Sequence, residues 1–179
     1  MVALDLRNPP SAATTVKEDQ QFTVFIDGVE TALHEGVIQW NGGTVTLVST
    51  VVLAVDRLQH VLVRGGGSGD VSFTRCGFAA AEACGVASFH RCDAVRADGA
   101  REVAVRRCRS ADVERAGVVA IRRCKGAARV RGAGELRVGR CHEANVGGCA
   151  DVAVGRCRAA RADWSGEIGI ERCGSADVS

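Results

Sequence analysis

The chain has 179 residues, with 23 Lys and Arg, 21 Asp and Glu, nine Cys and a formal net charge of +2. One domain of this size can bury a continuous core, and so even a charge balance excludes a protein drawn as a whole onto polyanions. With five Phe, two Trp and no Tyr, that core must be built thinly from Val, Ala and Cys.

Residues 1–20, with Pro9-Pro10 and a polar run from Thr14 to Gln21, read as a flexible arm. The segment Met1 to Pro10 holds Asp5 and Arg7 and no apolar run, so no secretory signal is expected. The longest apolar stretch, Val51 to Val55, is too short for membrane insertion. The expected location is the cytoplasm, or a particle assembled inside a cell.

Residues 21–64 read as capping strands and a first, degenerate coil. Strand signals at Phe22–Ile26, Val37–Trp40 and Thr44–Val48 flank Asp27-Gly28 and Asn41-Gly42-Gly43, residue pairs that tolerate positive φ in tight turns. Leu53, Val55, Arg57, Leu58, Val61 and Val63 then anticipate the pattern that follows, with Leu58 where later units place Cys. Gly65 to Gly69 lacks the downstream Lys-Ser/Thr of a phosphate loop and reads as an excursion.

Residues 65–179 are organised by a repeat. Arg-Cys recurs at 75/76, 91/92, 107/108, 123/124, 140/141, 156/157 and 172/173, a period of 16 with a single 17 where one residue is inserted near Ala128. In the unit Arg101 to Ala116, the small or apolar positions are Val103, Val105, Cys108, Ala111, Val113 and Ala116, so the unit is two halves of eight. Alternation at i, i+2 is strand periodicity, and the segments are too short for helices. Counting Arg101 as slot one, slot eleven is Ala79, Val95, Ala127, Ala144, Ala160 and Ala176 in the other units. A short fixed period of strands, none able to bury its own face, predicts an all-β, single-domain parallel β-solenoid (β-helix). Its coils of 16–17 residues stack at about 4.8 Å beneath an irregular β N-terminal cap.

Seven cysteines fill slot eight (Cys76, Cys92, Cys108, Cys124, Cys141, Cys157 and Cys173), and Cys84 and Cys149 fill slot sixteen. Cysteine packs as a small hydrophobe, so a buried structural ladder is expected. The intra-coil pairs Cys76–Cys84 and Cys141–Cys149 are the candidate disulfides. Unpaired cysteine in every coil suits a reducing compartment. There is no Cys-x-x-Cys, and His34, His60, His90 and His142 show no ligand spacing, so no metal site is expected.

Slot seven is an arginine ladder, from Arg57 and Arg75 to Arg172. Like charges stacked about 5 Å apart repel by under about 1 kcal/mol per pair in water. The offset expected is pairing with acids of slot two (Asp70, Glu102, Glu135, Asp151, Glu167) and slot fourteen (Glu82, Asp98, Glu114, Asp163), or arginine capping of carbonyls at the bend. The functional alternative is an anion or partner face, densest at Arg106, Arg107, Arg109, Arg122, Arg123, Lys125, Arg129 and Arg131, where residues 101–140 carry twelve basic and four acidic side chains. No aromatic platform for stacked bases lies among them. The acids recur as spread-out lines and no unit departs from the pattern, so neither catalytic residues nor a cofactor are expected. Trp164, in slot fifteen, reads as a cap or contact.

The stretch Val52 to Cys76, VLAVDRLQHVLVRGGGSGDVSFTRC, resembles the β-helical domain shared by cyclase-associated proteins and tubulin cofactor C. That resemblance implies a cytoskeletal regulator binding actin or tubulin. The layout of an arm followed by a short uniform solenoid is similar to that of bactofilins, polymer-forming bacterial scaffolds. The leading expectation is a structural protein that self-associates through solenoid ends or faces, since the last half-unit shows no polar cap and an open sheet edge templates pairing. The alternatives are a module binding a polyanion or acidic protein through the arginine-rich face, and the cytoskeletal regulator.

Overall fold

The computed structural model describes residues 2–5, 22–26, 29–30, 44–49, 53–56, 58–65, 69–163 and 166–179. The 16-residue phrase folds into a coil of two parallel-stacked strands, and the described residues form a β-solenoid of about seven turns with no helix. The regular coils hold strands β7 (Val71–Thr74) and β8 (Phe78–Glu82), β9 (Val86–His90) and β10 (Ala94–Asp98), β11 (Glu102–Arg106) and β12 (Ser110–Glu114), and β13 (Val118–Arg122) and β14 (Ala127–Arg131). The series continues with β15 (Glu135–Gly139), β16 (Glu143–Gly147), β17 (Asp151–Gly155), β18 (Ala159–Asp163), β19 (Glu167–Glu171) and β20 (Ser175–Val178). Before them come β1 (Val2–Asp5), β2 (Phe22–Ile26), β3 (Val29–Glu30), β4 (Thr44–Ser49), β5 (Leu53–Asp56) and β6 (His60–Gly65). The odd strands other than β3 build one wall, ordered from β1 and β5 to β19; the even strands, with β3 at the edge beyond β2, build the other.

Equivalent slots stack directly. Val103 pairs with Ala87 on one side and Val119 on the other, and Val105 with Phe89 and Ile121. The Phe73 and Phe89 rings stack with centroids 4.8 Å apart and planes 7° from parallel, the coil spacing expected from strand pairing. The odd wall supplies the large core side chains, Phe73, Phe89, Ile121 and Leu136, and the even wall mostly small ones such as Ala79, Ala97 and Ala111. Large against small at native density keeps two walls close without voids. The degenerate first coil obeys the same slots: Val55, Leu58, Val61 and Val63 are buried.

The extra residue of the 17-residue unit falls in the turn, and it moves one expected core position. Ala111 pairs with Ala128, which is buried, while Ala127 lies half-buried at the start of β14. Slot eleven of that unit is therefore Ala128 and not Ala127. A slip of one residue in a strand would exchange its faces, and absorbing the insertion at Lys125-Gly126 keeps Val130 inward beside Val113.

At the N-terminal end, β2 pairs antiparallel with β4 and with β3, and β4 pairs parallel with β6. Ile26 pairs with Val29, so only Asp27 and Gly28 separate the paired ends in sequence. Val2–Asp5, inside the expected arm, runs parallel to β5. The Val37–Trp40 strand signal, Arg57, His34 and Trp164 lie outside the described residues.

Candidate functional site

Among the described residues each coil corner holds one residue with positive φ. At the first corner that residue is the ladder arginine: Arg75, Arg91, Arg107, Arg123, Arg140, Arg156 and Arg172 all have φ between 54° and 61°. At the second corner, eight residues on, it is Ala83, Gly99, Arg115, Gly132 or Gly148. The left-handed region costs an L-residue roughly 1–2 kcal/mol, and glycine nothing. The backbone therefore asks for glycine at both corners, and among the described corners the sequence supplies it three times at the second and never at the first.

The corner backbone itself is fully knit. The Arg107 N–H donates to the Arg122 carbonyl at 3.0 Å, and the Arg109 N–H to the Cys92 carbonyl at 3.2 Å. The same bonds recur coil by coil, as in Arg91 to Arg106, Arg123 to Gly139 and Arg140 to Gly155. Inside the bend sits the cysteine. The thiols of Cys92, Cys108 and Cys157 donate to the carbonyls two residues before them, those of His90, Arg106 and Gly155, at 3.5–3.7 Å. Cys124, in the longer turn, bonds instead to the Arg109 carbonyl at 3.2 Å.

The expected cysteine ladder is thus a core element: all nine thiols are free, and eight of them are buried. Burial pushes the Cys84 and Cys157 thiols up. Hydrogen bonding to the neighbouring thiol, together with burial, does the same for Cys108 and Cys141. The candidate intra-coil bridges are overturned. Cys76 and Cys84 stand at opposite corners with all of β8 between them, about 16 Å of strand, against a Cα separation under about 7 Å for a disulfide. Cys141 and Cys149 are separated by β16 in the same way.

Among the described residues the slot-seven arginines do not make the ion pairs expected of them. All seven side chains are exposed. Among the described residues the ion pairs are Arg64–Glu82, Arg109–Asp93, Arg115–Asp98, Arg137–Glu135 and Arg161–Asp177, and no slot-seven arginine takes part. The expected neutralisation by slots two and fourteen fails for a geometric reason. Glu102 opens β11 while Arg107 follows its far end, about 16 Å along the strand, and slot fourteen lies at the second corner. Asp98 bonds there to Arg115, which holds its carboxyl below the usual range.

Slots six and nine thicken the first corner. A groove of about 780 Å³ runs along the odd-wall side of the ladder, lined by His90, Arg106 and Arg122 together with Arg107, Arg123 and Arg140. On the other side lies a groove of about 530 Å³ formed by Arg91, Arg107 and Arg123 with Arg109 and Lys125. Of the face expected from sequence, Arg106, Arg107, Arg109, Arg122, Arg123 and Lys125 come together. Arg129 and Arg131 do not: β14 carries Arg129 onto the outer surface of the even wall and Arg131 to the second corner. A window of charge along the chain cannot see this, whereas the 16-residue period does, and it adds Arg75, Arg91, Arg140, Arg156 and Arg172 to the edge. Seven guanidinium groups then line about 29 Å, one every 4.8 Å or so.

Such a row can hold anionic groups through charge-assisted and bidentate hydrogen bonds. Among the described residues no group of three or more His, Cys, Asp and Glu is arranged to hold a metal ion, and no helix is long and apolar enough to cross a membrane. Comparison of the chain with known protein families, with curated proteins and with solved structures finds no match.

Proposed function

We propose that the chain is a non-catalytic binding rod whose arginine corner holds a linear array of anionic groups on a partner. The observation that carries this reading is the ladder itself: seven arginines kept in a conformation that favours glycine, exposed and without an ion pair. Neither backbone, packing nor internal charge accounts for arginine there, which leaves an external anion. The nine unbridged cysteines support work in a reducing compartment. The test is binding of long-chain inorganic polyphosphate, followed by fluorescence anisotropy. The dissociation constant should rise steeply with salt, and the triple reversal Arg106→Glu, Arg109→Glu, Arg122→Glu should abolish binding. Affinity indifferent to both would sink the reading.

The self-associating scaffold is the form of this function in which the anionic partner is another copy. The cytoskeletal reading rests on Val52 to Cys76 alone; co-sedimentation with actin or tubulin is what it requires.

A further inference from the structure

The net charge of +2 conceals two opposite edges. From residue 69 on, positions 106–110 and their equivalents hold twelve Arg and Lys against three Asp and Glu, while positions 114–118 and their equivalents hold three Arg against nine Asp and Glu. The first set surrounds the arginine corner and the second the opposite corner, so the rod carries a basic edge and an acidic edge. Several acids of the second edge, Glu102, Glu114, Asp151 and Glu167, have no ion pair among the described residues. Toward the C-terminal coils the corner between the acid rows carries exposed small residues, Gly132, Gly134, Gly148 and Ala150, whereas Arg101, Arg115 and Arg131 are exposed there in the earlier coils. Projecting arginines can approach the small-residue stretch from outside and reach the carboxylates flanking it.

We infer that the anionic partner of the arginine edge is the acidic edge of a second copy of this chain, so that rods associate side by side. This rests on the reading of the arginine corner as an anion-binding edge. Charge complementarity supports it, and so does period: both rows inherit the same strand spacing, so a displacement by whole coils keeps the two rows in step. Charge density then selects the displacement. The arginine-dense stretch 106–125 is best matched by the carboxylates of Asp151 and Glu167, because in sequence positions 147–151 and 163–167 hold no Arg or Lys. The rods are therefore staggered. A contact between different surfaces of identical chains does not close on itself by a two-fold axis, and a staggered one propagates as an open row.

The experiment is sedimentation velocity on the full chain at low ionic strength and at ~1 M salt, where screening acts within about 3 Å. Wild type should assemble at low salt and disperse at high salt. The acid-edge variant Asp151→Lys/Glu167→Lys and the arginine-edge variant Arg107→Glu/Arg123→Glu should each remain monomeric. An equimolar mixture of the two should associate again, because each keeps the edge the other lacks. A monomeric wild type at low salt, assembly undiminished in the acid-edge variant, or a mixture that stays monomeric would each overturn the inference. The acid-edge variant should still bind polyphosphate. If it does while wild type never assembles, the self-association fails and the anion-binding edge stands; if wild type binds no polyphosphate, the edge itself fails.

Discussion

Arg107 and Gly132 occupy the same backbone conformation at opposite corners, with φ of 59° and 65°. The difference between them is a charge and a left-handed penalty. Replacing Arg107, Arg123 and Arg140 by glycine should therefore stabilise the fold while stripping its edge. Each substitution should add up to about 1 kcal/mol, less what glycine's freedom returns to the unfolded chain, or roughly 2–4 °C per kcal/mol in a thermal melt at this chain length. Arg115→Gly should behave differently, because Arg115 holds Asp98. The cysteines give two further residue-level predictions. Cys124 is 1% exposed, so Cys124→Arg buries an unpaired charge and should abolish cooperative unfolding as followed by circular dichroism. Burial raises the Cys84 and Cys157 thiols above the ordinary value of 9.0. A thiol whose folded value is raised contributes fully below the unfolded value and loses that contribution as pH climbs. Stability measured by urea midpoint should accordingly fall from about pH 9 upward, and Cys84→Ala/Cys157→Ala should flatten that fall. An unchanged slope would show that these thiols do not drive it. The ladder residues were all legible in the sequence, because Arg-Cys repeats in each of the seven regular units. Their conformation was not, since arginine carries no mark of positive φ. The clue was Gly99, Gly132 and Gly148, half a period away.

The strands were legible because alternation survives in every half-repeat, with Val103/Val105 and Ala111/Val113 setting the pattern. One core position of the 17-residue unit was not legible, since Ala127 and Ala128 are chemically identical candidates for it. Only pairing with Ala111 decides between them. The turn should tolerate losing its extra residue. Deleting Gly126 shortens the excursion to the length of the other coils and leaves every strand register intact, so the melting temperature should stay within roughly 2–4 °C of wild type. Deleting Ala104 from β11 should unfold the chain, because Val103 and Val105 would then point to opposite faces. If the two deletions melt alike, the insertion is not confined to the turn.

At the scale of the whole molecule, the sequence revealed a solenoid readily and its polarity of charge poorly. Composition gives +2, and a running window places an excess at 101–140 that mixes four surfaces: the arginine corner, the even-wall face with Arg129, the odd-wall face with Arg137, and the second corner with Arg131. Folding sorts these by position within the coil, and the charges separate into a basic and an acidic edge. The proposed anion-holding role of the basic edge is decided by comparing polyphosphate binding and thermal stability in wild type and in Arg107→Gly/Arg123→Gly/Arg140→Gly. An anion-holding edge requires a variant at least as stable as wild type that has lost salt-sensitive binding. A variant that binds as wild type does, or that unfolds for want of its arginines, would contradict it and make the ladder a structural element.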